Sequence, residues 1–332
     1  MNIVITGGAG FLGRRLTQKL LQRGTLRGPD GRGRRIDRIT TVDMETSAPV
    51  QDGRVRHVTG DISDSVVVDR VVDHGTTSIF HLAAVVSGMA EADFELGLRI
   101  NVDASRTLLD VCRKKASCPR IVFTSSVAVY GGALPDIVTD TTTLNPQSSY
   151  GTQKAIVELL IADYTRRGFT DGRVLRLPTI TVRPGRPNAA ASSFVSGIVR
   201  EPLLGETAIC PVDPATRVWV LSPATAIDCL IVGHDIESEA LGTNRSVNLP
   251  GISVSVGEMI AALERVAGPE VVRRIRMERD PRVEGIVASW PGAWDTSRAR
   301  SLGFPSDRDF DDVIRAYMNE RFTPSSSSTG PA

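Results

Sequence analysis

Cysteine is scarce in this chain of 332 residues, and the four present, Cys112, Cys118, Cys210 and Cys229, form no C-x-x-C pair. The four histidines are equally scattered, without H-x-x-x-H spacing. Neither a disulfide framework nor a structural zinc site has the ligands it needs, and no metal is expected. Excess charge is missing too: 39 basic residues against 38 acidic ones leave +1, so no global field draws the chain to nucleic acid or to an anionic membrane. No apolar run approaches the length of a membrane span. The chain opens on MNIVITGG, which has neither the basic region nor the cleavage site of a secretory leader, and the expectation is a cytoplasmic protein. No internal repeat is found.

What is present is an alternation of short apolar runs and helical patterns, the mark of βαβ units on a parallel sheet. Strands are predicted at residues 2–6, 39–43, 55–59, 79–83, 121–125 and 173–178. Residues 23–38, RGTLRGPDGRGRRIDR, are rich in glycine and arginine and read as an exposed loop. After Pro178 the texture turns to TVRPGRPNAAASSF and then to shorter elements. The fold class expected is α/β: a Rossmann doubly wound parallel sheet at 1–178 and a smaller C-terminal α/β substrate lobe at 179–322, some of which is free to return to the first domain. A polar tail, 323–332, has no core-forming residue. In the lobe, Ser255 and Glu258 have capping-box spacing ahead of a helix with Met259, Leu263 and Val266 on one side.

The first strand runs into TGGAGFLGRRL, with Gly7, Gly10 and Gly13 spaced G-x-x-G-x-x-G. Glycines there allow a tight turn, close approach of backbone amides to a pyrophosphate, and close packing of the next helix. That helix, opened by Phe11 and Leu12, points its N–H groups and positive dipole end at the anion. The next strand ends in Asp43, where a carboxylate accepts from ribose hydroxyls and repels a 2′-phosphate, so the expected cofactor is NAD. Arg14 is the contrary sign, as a guanidinium beside the turn that could meet such a phosphate. Asp61 and Ile62 are candidates for the adenine, and Leu82, Ala83, Ala84 and Pro178 for strand ends beside the cofactor.

IVFTSSVAVYGG places hydroxyls at the carboxyl end of a later strand, where open α/β sheets bind ligands. Ser126 lies 24 residues before Tyr150. Tyr150 and Lys154, four apart in SSYGTQK, share one face of the helix that starts there.

Together the glycine turn, the TSS run and YGTQK resemble the short-chain dehydrogenase/reductase superfamily, in its extended branch, over nearly the whole chain. The resemblance implies that Tyr150 is the general base, taking an alcohol proton as hydride leaves for the nicotinamide. It implies that Lys154 favours the phenolate and holds the nicotinamide ribose, and that Ser126, with Ser125 as the fallback, hydrogen-bonds the reacting oxygen. Dehydratases of this branch carry an Asp-Glu pair after that hydroxyl, where Val127 and Ala128 stand here. Longer stretches, among them HLAAVVSGMAEADFELGLRINVD, LRLPTITVRPGRPNAAASSF and SWPGAWDTSRARSLGF, resemble one subgroup, the D-erythronate dehydrogenases. That implies NAD-dependent oxidation of the C2 hydroxyl of a four-carbon sugar acid. A carboxylate substrate calls for a cation, and Arg183 and Arg217 are the candidates; Ser87, Ser126, Tyr150 and Ser192 are further substrate contacts. AIVELLIADY and NVDASRTLLDVC carry more apolar residues than one buried stripe needs, and a homodimer through helix pairs is expected. The alternatives are a nucleotide-sugar 4-epimerase using the same residues, and an NAD-sensing protein without turnover.

Overall fold

The computed structural model describes residues 1–45, 50–185, 192–287 and 290–322. The chain starts in strand β1 (Asn2–Thr6), turns through the glycines and enters helix α1 (Phe11–Arg23), which Gly24 ends in the left-handed conformation, φ 70°. Where an exposed loop is predicted, β2 (Thr25–Arg27) and β3 (Gly33–Arg35) form an antiparallel hairpin. Leu26 and Ile36 explain the difference: both are fully buried in the core, and they anchor a segment whose other residues are mostly polar. Then come β4 (Arg38–Asp43), β5 (Val55–Thr59), α2 (Ser65–Val71), β6 (Thr76–His81), α3 (Ala104–Lys115), β7 (Arg120–Ser126), α4 (Ser149–Arg166) and β8 (Asp171–Leu177).

β6 begins earlier than predicted and ends at His81, so Leu82 and Ala83 lie just beyond the strand. The seven-stranded sheet has the order β12-β8-β7-β6-β1-β4-β5, parallel throughout. The chain builds outward from β1 to β5 and then crosses to β6, so the switch of direction falls beside β1, where such sheets leave a crevice at the carboxyl ends. Side chains alternate between the faces. Ile3 and Ile5 join Leu16 and Leu20 of α1 on one side, and Val4 joins Val68, Leu108 and Val157 of α2, α3 and α4 on the other.

The later chain divides its work. β9 (Thr179–Ile180), α5 (Ser193–Leu203), β10 (Ala208–Cys210) and β11 (Arg217–Leu221) lead to α6 (Pro223–Asp235), which packs Ile227 and Leu230 onto the large sheet beside α1. β12 (Ser246–Asn248) is that sheet's edge strand, pairing Ser246 with Val174 and Asn248 with Arg176. The chain then leaves again as β13 (Ile252–Ser255), α7 (Val256–Ala267), β14 (Ile275–Met277) and α8 (Phe310–Phe322). β13, β11 and β9 make a small mixed sheet, and β10 pairs with β14. Val182, Val199, Val218, Met259, Leu263 and Ile314 form a separate core there. The capping box of Ser255 and Glu258 is present at α7, with Met259 and Leu263 buried and Val266 half-buried. Residues 186–191 of the predicted Pro/Ser/Ala-rich run and the tail 323–332 lie outside the described residues.

Candidate active site

The glycine turn is closed by backbone bonds: the N–H of Gly7 donates to Val42 O at 2.9 Å, and that of Gly10 to Gly7 O at 3.2 Å. Gly13 shows why the spacing is fixed, because a Cβ there would lie 2.2 Å from the Gly7 carbonyl oxygen. Only glycine lets the first turn of α1 sit against the loop. Gly10, the N-cap, offers no side-chain cap, and the first turn carries no acid, which leaves the positive helix end open to an anion. Phe11 and Leu12 are half-buried there, and Arg14 is on the same turn. Asp43, at the end of β4, accepts the N–H of Ala9 at 3.0 Å, which holds its carboxylate beside the turn. A backbone cradle with a carboxylate next to it fits an adenine dinucleotide.

Asp61 is bonded by Arg99 at 2.6 Å and by the N–H of Ser63 at 2.8 Å, and these bonds hold its pKa down against partial burial. Ile62 is buried in the adjoining core. Ala83 donates its N–H to Thr6 Oγ1 at 3.2 Å, which begins a directional chain. Thr6 Oγ1 lies 2.7 Å from His81 Nδ1, His81 Nε2 lies 2.8 Å from Ser105 Oγ, and Ser105 donates to Asn101 O at 2.7 Å. Because Ser105 already donates to Asn101, its oxygen accepts from His81, which puts a proton on Nε2. Burial, with the nearby Lys154, pushes the His81 pKa down to about 3. Asn101 sits in a π-helical turn, Leu98–Asp103, and fixes the backbone of Val85 on both its N–H (2.8 Å) and its carbonyl (3.1 Å) while reaching Gln153 at 2.7 Å.

Across the crevice, Ser148 caps α4 through the N–H of Gly151 at 3.2 Å, and Tyr150 and Lys154 follow one turn apart. A Cβ at Gly151 would lie 2.1 Å from Ala128 O. That glycine therefore lets the helix start touch the turn after β7 and brings Tyr150 to Ser126. Ser126 accepts the N–H of Ala128 at 3.1 Å. Burial pushes the Tyr150 phenol up to about 12, offset in part by its hydrogen bond with Ser126 and by the positive charge of Arg183. Lys154, 2 % exposed, donates to Thr124 O at 2.8 Å and lies over the rings of Phe123 (4.6 Å) and Tyr150 (5.5 Å). Its pKa is pushed down to about 7 by burial, with Glu158 opposing. The lysine thus meets the face of the phenol ring, and the cation whose charge lowers the phenol's pKa is Arg183.

The two arginines part company. Arg183 is held by its backbone, its N–H on Ser196 Oγ at 3.1 Å and its carbonyl on Arg200 at 2.8 Å, both from α5. Arg217 spends its guanidinium on Ser253, Oγ at 3.1 Å and O at 2.9 Å, and faces Glu258 at 3.5 Å. Ser87 opens the short helix Ser87–Ala92, whose Glu91 accepts the N–H of Ser149 at 2.9 Å. Ser192 is half-buried immediately before α5, and Pro178 is buried between β8 and β9. Sequence reasoning missed Asn101, Gln153, Glu158 and Arg176. The available signals were a lone carboxylate inside the apolar AIVELLI and arginines in the buried strand RVLRL.

Comparison with known proteins bears on this geometry. Residues 3–220 match the NAD dependent epimerase/dehydratase family. The chain belongs to that family. Among curated relatives, D-erythronate dehydrogenase of Cupriavidus necator is 60% identical over 96% of this chain and 98% of its own length. That of Haemophilus influenzae is 44% identical over 96% and 99%. Among solved structures, the nucleoside-diphosphate-sugar epimerase from Agrobacterium tumefaciens superposes with TM-score 0.91 at 43% identity, over 97% of this chain and 94% of that one. L-threonine 3-dehydrogenase from Trypanosoma brucei does so with TM-score 0.84 at 25% identity, over 96% of each. The family's NAD dependence agrees with the cradle at Gly7 to Gly13 and with Asp43.

Proposed function

We propose that this protein oxidises the C2 hydroxyl of D-erythronate to the 2-oxo acid with NAD. The observation that carries the reading is full-length identity of 60% and 44% to two D-erythronate dehydrogenases, in a chain that has Ser126, Tyr150 and Lys154 side by side. Bound NAD would supply the hydride acceptor and a positive charge close to the phenol. Gly7, Gly10 and the start of α1 would hold its pyrophosphate, and Asp43 the adenosine ribose.

In this reading Tyr150 takes the proton of the C2 hydroxyl while Ser126 donates to the same oxygen. A phenol pushed up to about 12 keeps its proton at neutral pH; positive charge brought near it favours phenolate, so base strength would be gained on binding NAD. Lys154 would hold the nicotinamide ribose. Arg183 is favoured over Arg217 as the carboxylate partner, since its charge reaches Tyr150 whereas Arg217 is engaged by Ser253 and Glu258.

The reading includes a cytoplasmic homodimer. All four cysteines are free, which suits a reducing compartment, and no helix of the described residues is long and apolar enough to cross a membrane. Only one of the two apolar helices keeps a surplus: in α3, Leu108, Leu109, Val111 and Cys112 are spent on the chain's own core, whereas α4 exposes Ile156 and Leu159, three apart on one face. Sedimentation of the purified protein tests the dimer, and a monomer at micromolar concentration would remove it.

The deciding experiment follows NADH absorbance with D-erythronate, L-threonate and a UDP-sugar, each supplied with NAD. A rise with D-erythronate alone is expected. No rise with either acid, together with interconversion of the UDP-sugar, would establish the epimerase instead, an outcome kept open by the 43% identity to the Agrobacterium protein.

A further inference from the structure

One turn beyond Lys154, α4 carries a carboxylate that the proton chemistry above leaves unused. Glu158 is 3 % exposed, and five hydrogen bonds converge on it. Oε1 accepts from the Ser125 hydroxyl at 2.5 Å and from Arg176 Nε at 3.0 Å. Oε2 accepts from Arg176 Nη2 at 2.6 Å, from its Nε at 3.1 Å and from the Ser246 hydroxyl at 3.2 Å. The last arm of Arg176 reaches the Tyr130 hydroxyl, which lies 3.0 Å from Asn248 Oδ1.

Three consecutive residues at the end of β7 are therefore addressed by one helix. Thr124 receives Lys154 on its carbonyl, Ser125 donates to Glu158, and Ser126 meets Tyr150. The titratable and charged groups around Lys154 are Tyr150 and Glu158 on its own helix, His81 on β6 and, behind Glu158, Arg176 on β8. Among the described residues, the acid that opposes burial at Lys154 is Glu158. A buried ion pair adds little net stability, because desolvation offsets the attraction. Stability alone is a weak reason for five bonds on one carboxylate beside the reacting groups.

We propose that Glu158 is a positioning residue: through Ser125 it fixes the strand end that carries Ser126, and it sets a buried negative charge one helical turn from the Lys154 ammonium. The inference rests on the reading of Lys154 as the cation that serves the nicotinamide end of the site.

The test uses the small number of lysines, Lys19, Lys114, Lys115 and Lys154. Protein labelled at lysine, free of NAD, is titrated while the ε-carbon NMR signals are followed, with Lys154→Arg identifying the signal of interest. In the parent that signal is expected to titrate at about 7, well below an ordinary lysine, because of burial. Glu158→Gln retains the shape and an acceptor for Ser125 but no charge, and the midpoint is expected to fall by about one unit or more. Turnover at pH 7 falls roughly fivefold with it, because a drop of one unit from about 7 takes the protonated fraction of the lysine from about one half to about one eleventh, while KM for the acid changes less than about twofold. An unmoved midpoint overturns the proposal.

Because glutamine leaves Arg176 as an uncompensated buried cation, Glu158→Leu with Arg176→Met is made alongside. It is expected to melt near the parent temperature and to show a smaller downward shift, because the repulsion of Arg176 is gone together with the attraction of Glu158. If that folded double variant titrates and turns over like the parent, the pair is scaffold alone. The NMR arm needs no substrate, so a shifted lysine in a protein that oxidises neither acid would sink the substrate assignment and leave this one standing.

Discussion

At the glycine turn after β1, the crevice is met by the N–H groups that open α1 and by the carboxylate of Asp43; at the ends of β7 and α4 it is met by half-buried Tyr150 and Ser126 and buried Lys154, with Glu158 and Arg176 behind them. The first region costs little to keep in water, since its donors are dipoles of the main chain. The second holds charge in a place that resists it, which is why burial pushes Tyr150 up and Lys154 down. Binding is thus assigned to a stiff backbone surface and reactivity to groups whose protonation depends on what lies beside them.

If that division is right, substitutions in the two regions should fail in different ways. Tyr150→Phe removes the proton acceptor but no part of the cradle; kcat should fall by roughly 10² to 10⁴, with the NAD dissociation constant from calorimetry within about twofold of the parent by the same reasoning. Equal damage to NAD affinity would erase the distinction. Gly13→Ala sets a methyl against the Gly7 carbonyl and misaligns the amides that face the pyrophosphate. Losing two charge-assisted bonds at about 1.5 kcal/mol each weakens NAD roughly 10²-fold, while kcat at saturating NAD stays close to the parent value. A drop confined to kcat would reverse the assignment.

The comparison can be sharpened within the reacting end. Arg183→Ala should raise KM for the acid by roughly 10-fold or more, as loss of a charged hydrogen-bond partner predicts. Arg217→Ala, which cuts bonds to Ser253 and Glu258 at a half-exposed site, should leave KM unchanged and lower the melting temperature slightly; the opposite pattern would make Arg217 the clamp.

The effect that touches stability rather than turnover concerns His81, which joins the two regions through Thr6 and Ser105. Its pKa falls from 6.5 to about 3 on burial, so between those values the unfolded chain binds the proton and the folded one does not. Stability from the neutral ring is complete above pH 6.5 and is lost as pH falls toward 3, by about 1.4 kcal/mol per unit. Urea midpoints measured down that range should decline more steeply in the parent than in His81→Gln, and parallel declines would show that the ring is not neutral.

Much of this was legible in the sequence because it is written locally. The parallel sheet follows from consecutive apolar runs, and the cradle from Gly7, Gly10 and Gly13 in a single turn. The capping box at Ser255 and Glu258 likewise depends on residues three apart. The hairpin at residues 25–35 was not legible, since its fixing residues, Leu26 and Ile36, are two apolar side chains in a polar stretch whose partners lie across the core. The surplus on α3 was misjudged for a related reason: its leucines look spare until α2 and the sheet are set against them.

The sequence by itself determined the α/β order of elements, the glycine turn with Asp43, and the pairing of Tyr150 with Lys154, all through spacing along one strand, turn or helix. The tertiary structure alone decided what those groups feel. It brought Arg176 and Ser246 to Glu158 from β8 and β12, set Lys154 on the Thr124 carbonyl and over two aromatic rings, and let the charge of Arg183 reach the phenol while committing Arg217 elsewhere. Protonation states and charge partners depend on burial and on distances through space, and the spacing of residues along a chain carries neither.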